Sequence, residues 1–389
     1  MKIVMITEYF PQSKDCEIRG GVEARCFYVA RELAKKHKVT VISALEPNMP
    51  REQAFDGIRI IRCGKHQEYR QAGSVKERLS FMKEAYKLGT KLDADLVEGT
   101  NFVSYLPAYY IARKKHLPRI ALYNDVWIGK WIYNIGLIQG LMGEILERFI
   151  LSRNWSCLIA NSRFTLKNLR NYGLEKDRLK LIYSGVDTKK CRSISVPKEK
   201  RPTICCVSRL VEYKKVDILI RAVSSIKNHI ENIQCKIIGI GPEFEKLEGL
   251  VKKLNLENNV NFLGFIRSHH DVLKTIKKSH IFCLSSIVEG FGLVVIEAMA
   301  CATPFVCSNI PALKEVTRNG MGGLLFEREN PDDLAKRILH LLEDDHLYRK
   351  CIHEGLKLAQ KYDWSNTATK TEMLYHKMRI ESPSPTLIK

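Results

Sequence analysis

Short apolar runs alternate with helix-like segments along almost the whole chain, and this alternation limits the fold more than any other feature. In the N-terminal half the runs Lys2–Thr7, Val39–Ser43, Ile58–Arg62, Leu96–Glu98, Ile120–Tyr123, Leu158–Ala160 and Leu179–Ile182 read as strands. Amphipathic stretches at Val22–His37, Val75–Leu92, Ile135–Ser152 and Arg163–Tyr172 lie between several of them. Strand–helix alternation of this kind argues for a parallel sheet covered on both faces. Around Ser184–Pro202 the pattern lapses into Lys, Ser and Pro, as a linker would.

The alternation then restarts, with strands at Thr203–Val207, Cys235–Ile238, Val260–Leu263, Ile281–Ser285 and Phe305–Ser308. Helices are expected at Lys215–Ile230, Phe244–Leu254, Asp271–Ser279 and Leu293–Cys301, and from Pro331 to about Lys377. The expectation is an α/β chain of two Rossmann-like, doubly wound parallel-sheet domains at 1–185 and 203–365, joined by a linker at 186–202. A C-terminal helix within 366–389 is expected to cross back to the first domain. Such sheets bind ligands where the carboxyl ends of strands meet helix N-termini, so two facing units would hold a cleft between them.

Composition narrows the class. No apolar run reaches the roughly 18–20 uncharged residues that span a bilayer. The apolar run from Met1 to Glu8 is too short for a secretory signal, so the chain is expected in the cytoplasm. The 12 cysteines are scattered, without a C-x-x-C pair or zinc-like His spacing, and those at Cys205, Cys206, Cys283 and Cys307 sit in strand-like runs as small hydrophobes. The net charge of +20 is unusual, with about +12 of it before Lys180. A solvated basic surface accounts for much of it; without RNA-binding or zinc-finger signatures, a specific partner would be nucleotide phosphates or anionic lipid headgroups rather than nucleic acid.

The chemistry concentrates in Glu289-Gly290-Phe291-Gly292-Leu293-Val294-Val295-Ile296-Glu297. A buried strand runs into a turn carrying Glu289, two glycines let backbone approach a ligand, and the following helix start offers free N–H groups to an anion. Glu297 lies roughly 7 Å further along the helix axis, at about 1.5 Å per residue. A carboxylate flanked by Val294, Val295, Ile296, Ala298, Met299 and Ala300 faces desolvation unless something binds it.

Glu-x7-Glu around Gly-Phe-Gly resembles the signature of glycosyltransferase family 4, retaining enzymes of GT-B architecture. Other segments resemble that family in order: Gly20-Gly21, Ser184-Gly185-Val186-Asp187, Ser208-Arg209-Leu210 with Lys214, Gly239-Ile240-Gly241-Pro242, Leu263-Gly264-Phe265-Ile266, and Ala302-Thr303-Pro304 with Glu315 and Gly322-Gly323-Leu324. The resemblance implies an acceptor-side N-terminal domain, a nucleotide-sugar-binding C-terminal domain and metal-independent hexosyl transfer without a cofactor. The donor would be a UDP- or GDP-linked sugar and the acceptor a glycan or a lipid-linked envelope molecule, met at the inner face of the membrane by the basic N-terminal domain. Arg209 and Lys214 would hold the diphosphate, Glu289 would contact the sugar and Glu297 the ribose hydroxyls. Backbone at Phe291, Gly292, Leu293 and Val294 would serve the sugar and phosphate, Gly20-Gly21 would approach the diphosphate or acceptor, and Gly241 and Ile266 complete the donor set. An epimerase or hydrolase, or a non-catalytic nucleotide-sugar-binding subunit, would use the same scaffold.

Three positions depart from the family pattern. Asn124-Asp125 stands where a His-Asp pair is common, and Asn cannot take a proton, which leaves a catalytic role for Asn124 as hydrogen bonding only. Lys215 replaces a glycine, and Pro311-Ala312 a glycine pair. Asp93-Ala94-Asp95 has metal-binding spacing but reads as a turn, His269-His270 as a helix start. Trp127, Trp131 and Tyr133 with Lys130 would line an acceptor pocket, touch a membrane interface or pack within a loop.

Overall fold

The computed structural model describes residues 1–13, 18–68 and 74–381, and Cys16 lies outside them. The chain divides into two compact units, one of Met1–Ser184 with the segment from Trp364 onward, the other of Gly185–Asp363.

Unit 1 runs β1 (Lys2–Ile6), α1 (Gly21–Ala34), β2 (Lys38–Ala44), β3 (Glu52–Phe55), β4 (Ile58–Cys63), α2 (Val75–Gly89), β5 (Leu96–Gly99), α3 (Phe102–Lys114), β6 (Arg119–Tyr123), α4 (Trp131–Ile135), α5 (Leu137–Leu151), β7 (Cys157–Ala160), α6 (Arg163–Arg170) and β8 (Leu179–Leu181). The sheet order is β3-β4-β2-β1-β5-β6-β7-β8. Its direction of winding reverses between β1 and β5, and the crevice at their carboxyl ends is where such sheets take ligands. Ile3–Ile6, Leu96–Val97 and Ile120–Tyr123 are almost wholly buried, as parallel strands covered on both faces must be.

In unit 1, β3, α3 and the short α4 go beyond the sequence reading. Strand β3 pairs antiparallel to β4 at the sheet edge. Its turn is Asp56-Gly57, both at positive φ (50° and 76°), the pairing that closes a tight hairpin. Helix α3 is buried on most sides and carries Pro107, so no amphipathic stripe announces it. An Asn101–Ser104 capping box starts it.

The aromatic loop after β6 packs inward. Trp131 lies 5.4 Å from Trp127 and 4.7 Å from Phe102, ring centroid to centroid. Its Nε1 donates to Glu147 at 2.6 Å, and the Trp127 N–H donates to the same carboxylate at 3.2 Å. Lys130 pairs with Asp125 at 3.2 Å. Tyr133 alone of the group is exposed.

Unit 2 comprises α7 (Thr188–Ser193), β9 (Thr203–Val207), α8 (Val216–Lys227), β10 (Gln234–Ile238), α9 (Phe244–Lys253), β11 (Val260–Gly264), α10 (His269–Lys278), β12 (Ile281–Leu284), α11 (Leu293–Ala300), β13 (Phe305–Ser308), α12 (Pro311–Val316), β14 (Gly323–Phe326), α13 (Pro331–Glu343) and α14 (Asp345–Ala359). All six strands are parallel, in the order β11-β10-β9-β12-β13-β14, so winding reverses between β9 and β12. The eleven described cysteines are unpaired and buried. Those in the strands, such as Cys205 and Cys283, have thiol pKa values pushed up by burial, consistent with reduced core residues.

The linker expectation at 186–202 is corrected: this stretch lies along unit 2. The Val186 N–H donates to the Tyr362 carbonyl at 2.7 Å, and the Thr188 hydroxyl to the Asp363 carboxylate at 2.5 Å. The Lys198 ammonium donates to the Ser279 carbonyl at 2.6 Å and the Thr303 hydroxyl at 3.1 Å, and burial pulls its pKa down to about 8. Lys, Ser and Pro there accompany the short helix α7 and an extended stretch held by side-chain contacts, not freedom.

Helix α15 (Trp364–Glu381) packs on unit 1. Trp364 stacks on Tyr28 at 5.2 Å. The Tyr375 hydroxyl donates at 2.5 Å to Glu98, a fully buried strand carboxyl whose pKa burial raises. Glu372 pairs with His37 at 2.9 Å and Lys36 at 3.2 Å.

Burial pushes the Glu147 carboxyl up to about 7, against the hydrogen bonds from the two tryptophans. Between about pH 4.5 and 7 the folded chain keeps a proton that the unfolded chain releases, so Glu147 subtracts stability as pH rises through that window. Glu147→Gln is therefore expected to exceed the parent in stability by roughly 1–3 kcal/mol at pH 8 and to match it near pH 4, as read by urea titration at the two pH values.

Candidate functional site

The reversal of winding in unit 2 brings the loops after β9 and β12 side by side, and they are stitched together by backbone. The Ile287 N–H donates to the Tyr213 carbonyl at 2.9 Å, and the Ser285 hydroxyl to the Lys214 carbonyl at 3.0 Å. Across this seam the Lys214 ammonium meets Glu289 Oε1 at 2.5 Å, with both side chains only about one-eighth exposed (13% and 12%). A cation and a carboxylate predicted separately from the sequence thus form one pair.

Arg209 shares the β9 loop but is exposed, and its guanidinium donates to the Tyr213 hydroxyl at 2.7 Å rather than to either glutamate. Lys215 takes the left-handed conformation at φ 48° and caps α8. That backbone requirement is a physical reason for glycine at this position, and Lys215 meets it at a steric cost. Its ammonium reaches Glu329 at 3.5 Å.

Gly292 is likewise left-handed, at φ 90°, and a Cβ there would stand 2.5 Å from the Leu313 side chain. It turns the chain into α11 without a side-chain cap. Among the described residues the Leu293 and Val294 N–H groups make no hydrogen bond, as expected for the first donors of a helix. An anion beside Lys214 would meet them and the positive end of the helix. The Phe291 ring is buried edge-on against Tyr362 at 5.8 Å, so this residue can serve a ligand only through its backbone.

Glu297 is largely covered (14% exposed), but it is not left without a partner: His269 Nε2 lies 2.9 Å from its Oε1. With Nε2 carrying the proton, His269 is a donor that aims the carboxylate, and Oε2 stays available for hydroxyls. His269 Nδ1 is buried without a hydrogen-bond partner. The sequence reading of a helix start is right for the backbone, since α10 begins at His269, and misses the side chain. A histidine 28 residues from the glutamate carries no pattern; only the fold joins them.

Gly239 and Gly241 bring two loops into contact. A Cβ on Gly239 would lie 1.8 Å from the Ser208 carbonyl oxygen, and one on Gly241 2.2 Å from that of Leu210. Their missing side chains let the β9 and β10 loops touch each other. Ile266 is half-buried in the turn between β11 and α10.

Gly20, Gly21 and Asn124 belong to unit 1. Gly20 precedes α1 in extended conformation, and Gly21 is its first residue. Beside them the sequence reading overlooks a buried ionic cluster in which Arg19 binds Glu23 at 2.8 Å and also pairs with Glu46. Burial works against the Arg19 charge, but Glu46 and Glu23 outweigh it and raise the pKa. The i,i+4 spacing of Arg19 and Glu23 was legible; the approach of Glu46 was not. Asn124 follows β6, donating from Nδ2 to the Thr100 carbonyl at 3.1 Å and accepting from Asn161 at 3.5 Å. Asp93 and Asp95 sit at the opposite, amino end of the strands, tied to Lys2 and Arg379.

Comparison with known proteins agrees with this fold. Residues 19–190 match the model of Glycosyltransferase Family 4, and residues 187–358 that of Glycosyl transferases group 1. An uncharacterized glycosyltransferase of Methanocaldococcus jannaschii is 30% identical over 387 residues, covering 97% of this chain and 99% of that protein. The N-acetylgalactosamine-N,N'-diacetylbacillosaminyl-diphospho-undecaprenol 4-alpha-N-acetylgalactosaminyltransferase of Campylobacter jejuni is 26% identical, over 79% of this chain and 82% of that one. The solved structure of Anabaena HepE in complex with UDP-glucose superposes with a TM-score of 0.76 at 18% identity, over 97% of this chain and 100% of that one.

Replacing Lys215 by glycine is expected to relieve the left-handed strain and raise stability by about 1 kcal/mol, because its partly covered pair with Glu329, at 3.5 Å, is a long contact that contributes little. Lys215→Val should lower it by a similar amount. Urea midpoints of the two variants and the parent measure both.

Proposed function

The chain belongs to the family 4, group 1 glycosyltransferases, and from that premise we propose that it moves a hexose-type sugar from a UDP- or GDP-linked donor to a glycan or lipid-linked acceptor, with anomeric configuration retained. The observation that carries this reading is the Lys214–Glu289 pair at the β9/β12 reversal, beside the uncapped start of α11.

Cleaving a glycosyl–diphosphate bond builds negative charge on the leaving phosphates and positive charge on the sugar ring. Lys214 and the α11 N–H groups supply fixed positive potential where the diphosphate would lie, and Glu289 supplies negative potential next to it for the ring. The ion pair keeps both side chains oriented before the donor arrives, so little reorganisation is needed. Arg209, free to swing from Tyr213, adds a second cation to the phosphates. Glu297, aimed by His269, accepts from the ribose hydroxyls. No metal is required in this scheme, since cations and amides neutralise the diphosphate. Asn124 can orient a hydroxyl but takes no proton, so any base for the acceptor lies elsewhere.

The UDP-glucose held by HepE supports a nucleotide-sugar donor, and the undecaprenol-linked substrate in the name of the Campylobacter relative supports a lipid-linked acceptor. The +20 net charge suits an acceptor carried on an anionic membrane face.

Glu297→Ala and Lys214→Ala are each expected to lower sugar transfer from a radiolabelled donor by at least about a hundredfold, the scale of losing one fixed electrostatic contact. Thermal unfolding should show both variants folded. Full activity in either one would sink the assignment, and release of free sugar or its epimer without an acceptor would favour the hydrolase or epimerase reading.

A further inference from the structure

Helix α5 presents an apolar face that no described residue covers. Leu137, Ile138, Leu141, Met142, Ile145 and Phe149 are all exposed, Ile138 by 77% and Ile145 by 61%. From Ile138 onward they recur at i, i+3, i+4, i+7 and i+11, one side of a helix. The other side is already committed to the unit. Gly140 and Gly143 are buried where a Cβ would strike the Ile132 backbone at 2.5 Å and the Trp131 ring at 2.6 Å, while Glu147, Ile150 and Leu151 face the core. The outer stripe therefore has no role in folding this unit and is too continuous to be scattered surface apolarity.

The rim identifies the partner. From Arg148 to Lys180 the sequence carries eight Lys or Arg residues against two acidic ones, and on α5 itself Arg148 pairs with Glu144 at 2.7 Å. The Arg153 guanidinium sits 4.2 Å from the Phe149 ring centroid, a cation at the edge of the apolar stripe. On α6, which packs on the same core through Leu169, Lys167 and Arg170 are exposed. A second copy of the chain would bring the same positive rim against this one, whereas an anionic bilayer offers apolar depth and negative headgroups together. No described helix is long and apolar enough to cross a membrane, so the face would rest on the surface.

We propose that α5 docks this protein on an anionic lipid bilayer, its outer stripe entering the acyl boundary while Arg148, Arg153, Lys167 and Arg170 meet the headgroups. The surface gives a physical place to the lipid-linked acceptor of the proposed function, and rests on that reading only for its purpose.

Flotation of the full chain with vesicles of phosphatidylcholine, with and without phosphatidylglycerol, tests it. Binding should require phosphatidylglycerol and weaken with salt. Ile138→Asp/Ile145→Asp should reduce it by at least about tenfold, because a carboxylate in the apolar layer is strongly disfavoured. Lys167→Glu/Arg170→Glu, which keeps the stripe, should weaken it severalfold. Nucleotide-sugar thermal shifts should stay at parent values in both variants, which separates failure of docking from failure of donor binding. Equal or absent binding to both vesicle types would overturn the proposal. So would flotation unchanged in the aspartate variant, or a vesicle-free dimer that this variant dissociates.

Discussion

The meeting of Lys214 and Glu289 across the β9/β12 seam is the contact on which the account of this protein depends. Each strand ends in a loop that would otherwise be free to wander. The seam bonds from Ile287 to Tyr213 and from Ser285 to Lys214 hold the loops in register, and the ion pair then places opposite charges side by side in a largely covered position. A pair so covered gives up hydration for uncertain return in stability. Its use is arrangement: opposite potentials set next to each other at the point where a parallel sheet opens to ligands.

The supporting parts follow from the same constraint. Gly239 and Gly241 let the β9 and β10 loops touch, Gly292 bends the chain so that α11 points its first N–H groups outward, and His269 aims Glu297. In unit 1 Arg19, just before α1, is held between two glutamates, and α15 returns to lock onto Tyr28 and Glu98. Both units thus use buried polar contacts near the loops and hydrocarbon packing behind them.

Much of this was legible in the amino-acid sequence because the signals were local. Strands buried on both faces read as apolar runs, and the segment from Glu289 to Glu297 has a spacing that strand–turn–helix geometry explains. The losses were of three physical kinds. Helix α3 is buried nearly all round and contains Pro107, so periodicity did not reveal it, and β3 is a four-residue edge strand. Residues 186–202 have linker composition yet are ordered by distant partners such as Asp363 and Ser279. His269 with Glu297, and Glu46 with Arg19, are tertiary pairs that no spacing rule contains. The glycines at 239 and 241 stood out only by family resemblance, and the close approach of the neighbouring loop that requires them is a tertiary contact.

The most direct test of the central claim is calorimetric titration of the full chain with UDP- and GDP-linked hexoses, repeated on Lys214→Met. The account predicts one saturable site for at least one of these donors, weakened at least about tenfold when the ammonium is removed, as expected for a covered charge-assisted contact. No binding of any nucleotide sugar, or binding that Lys214→Met leaves unchanged, would contradict it.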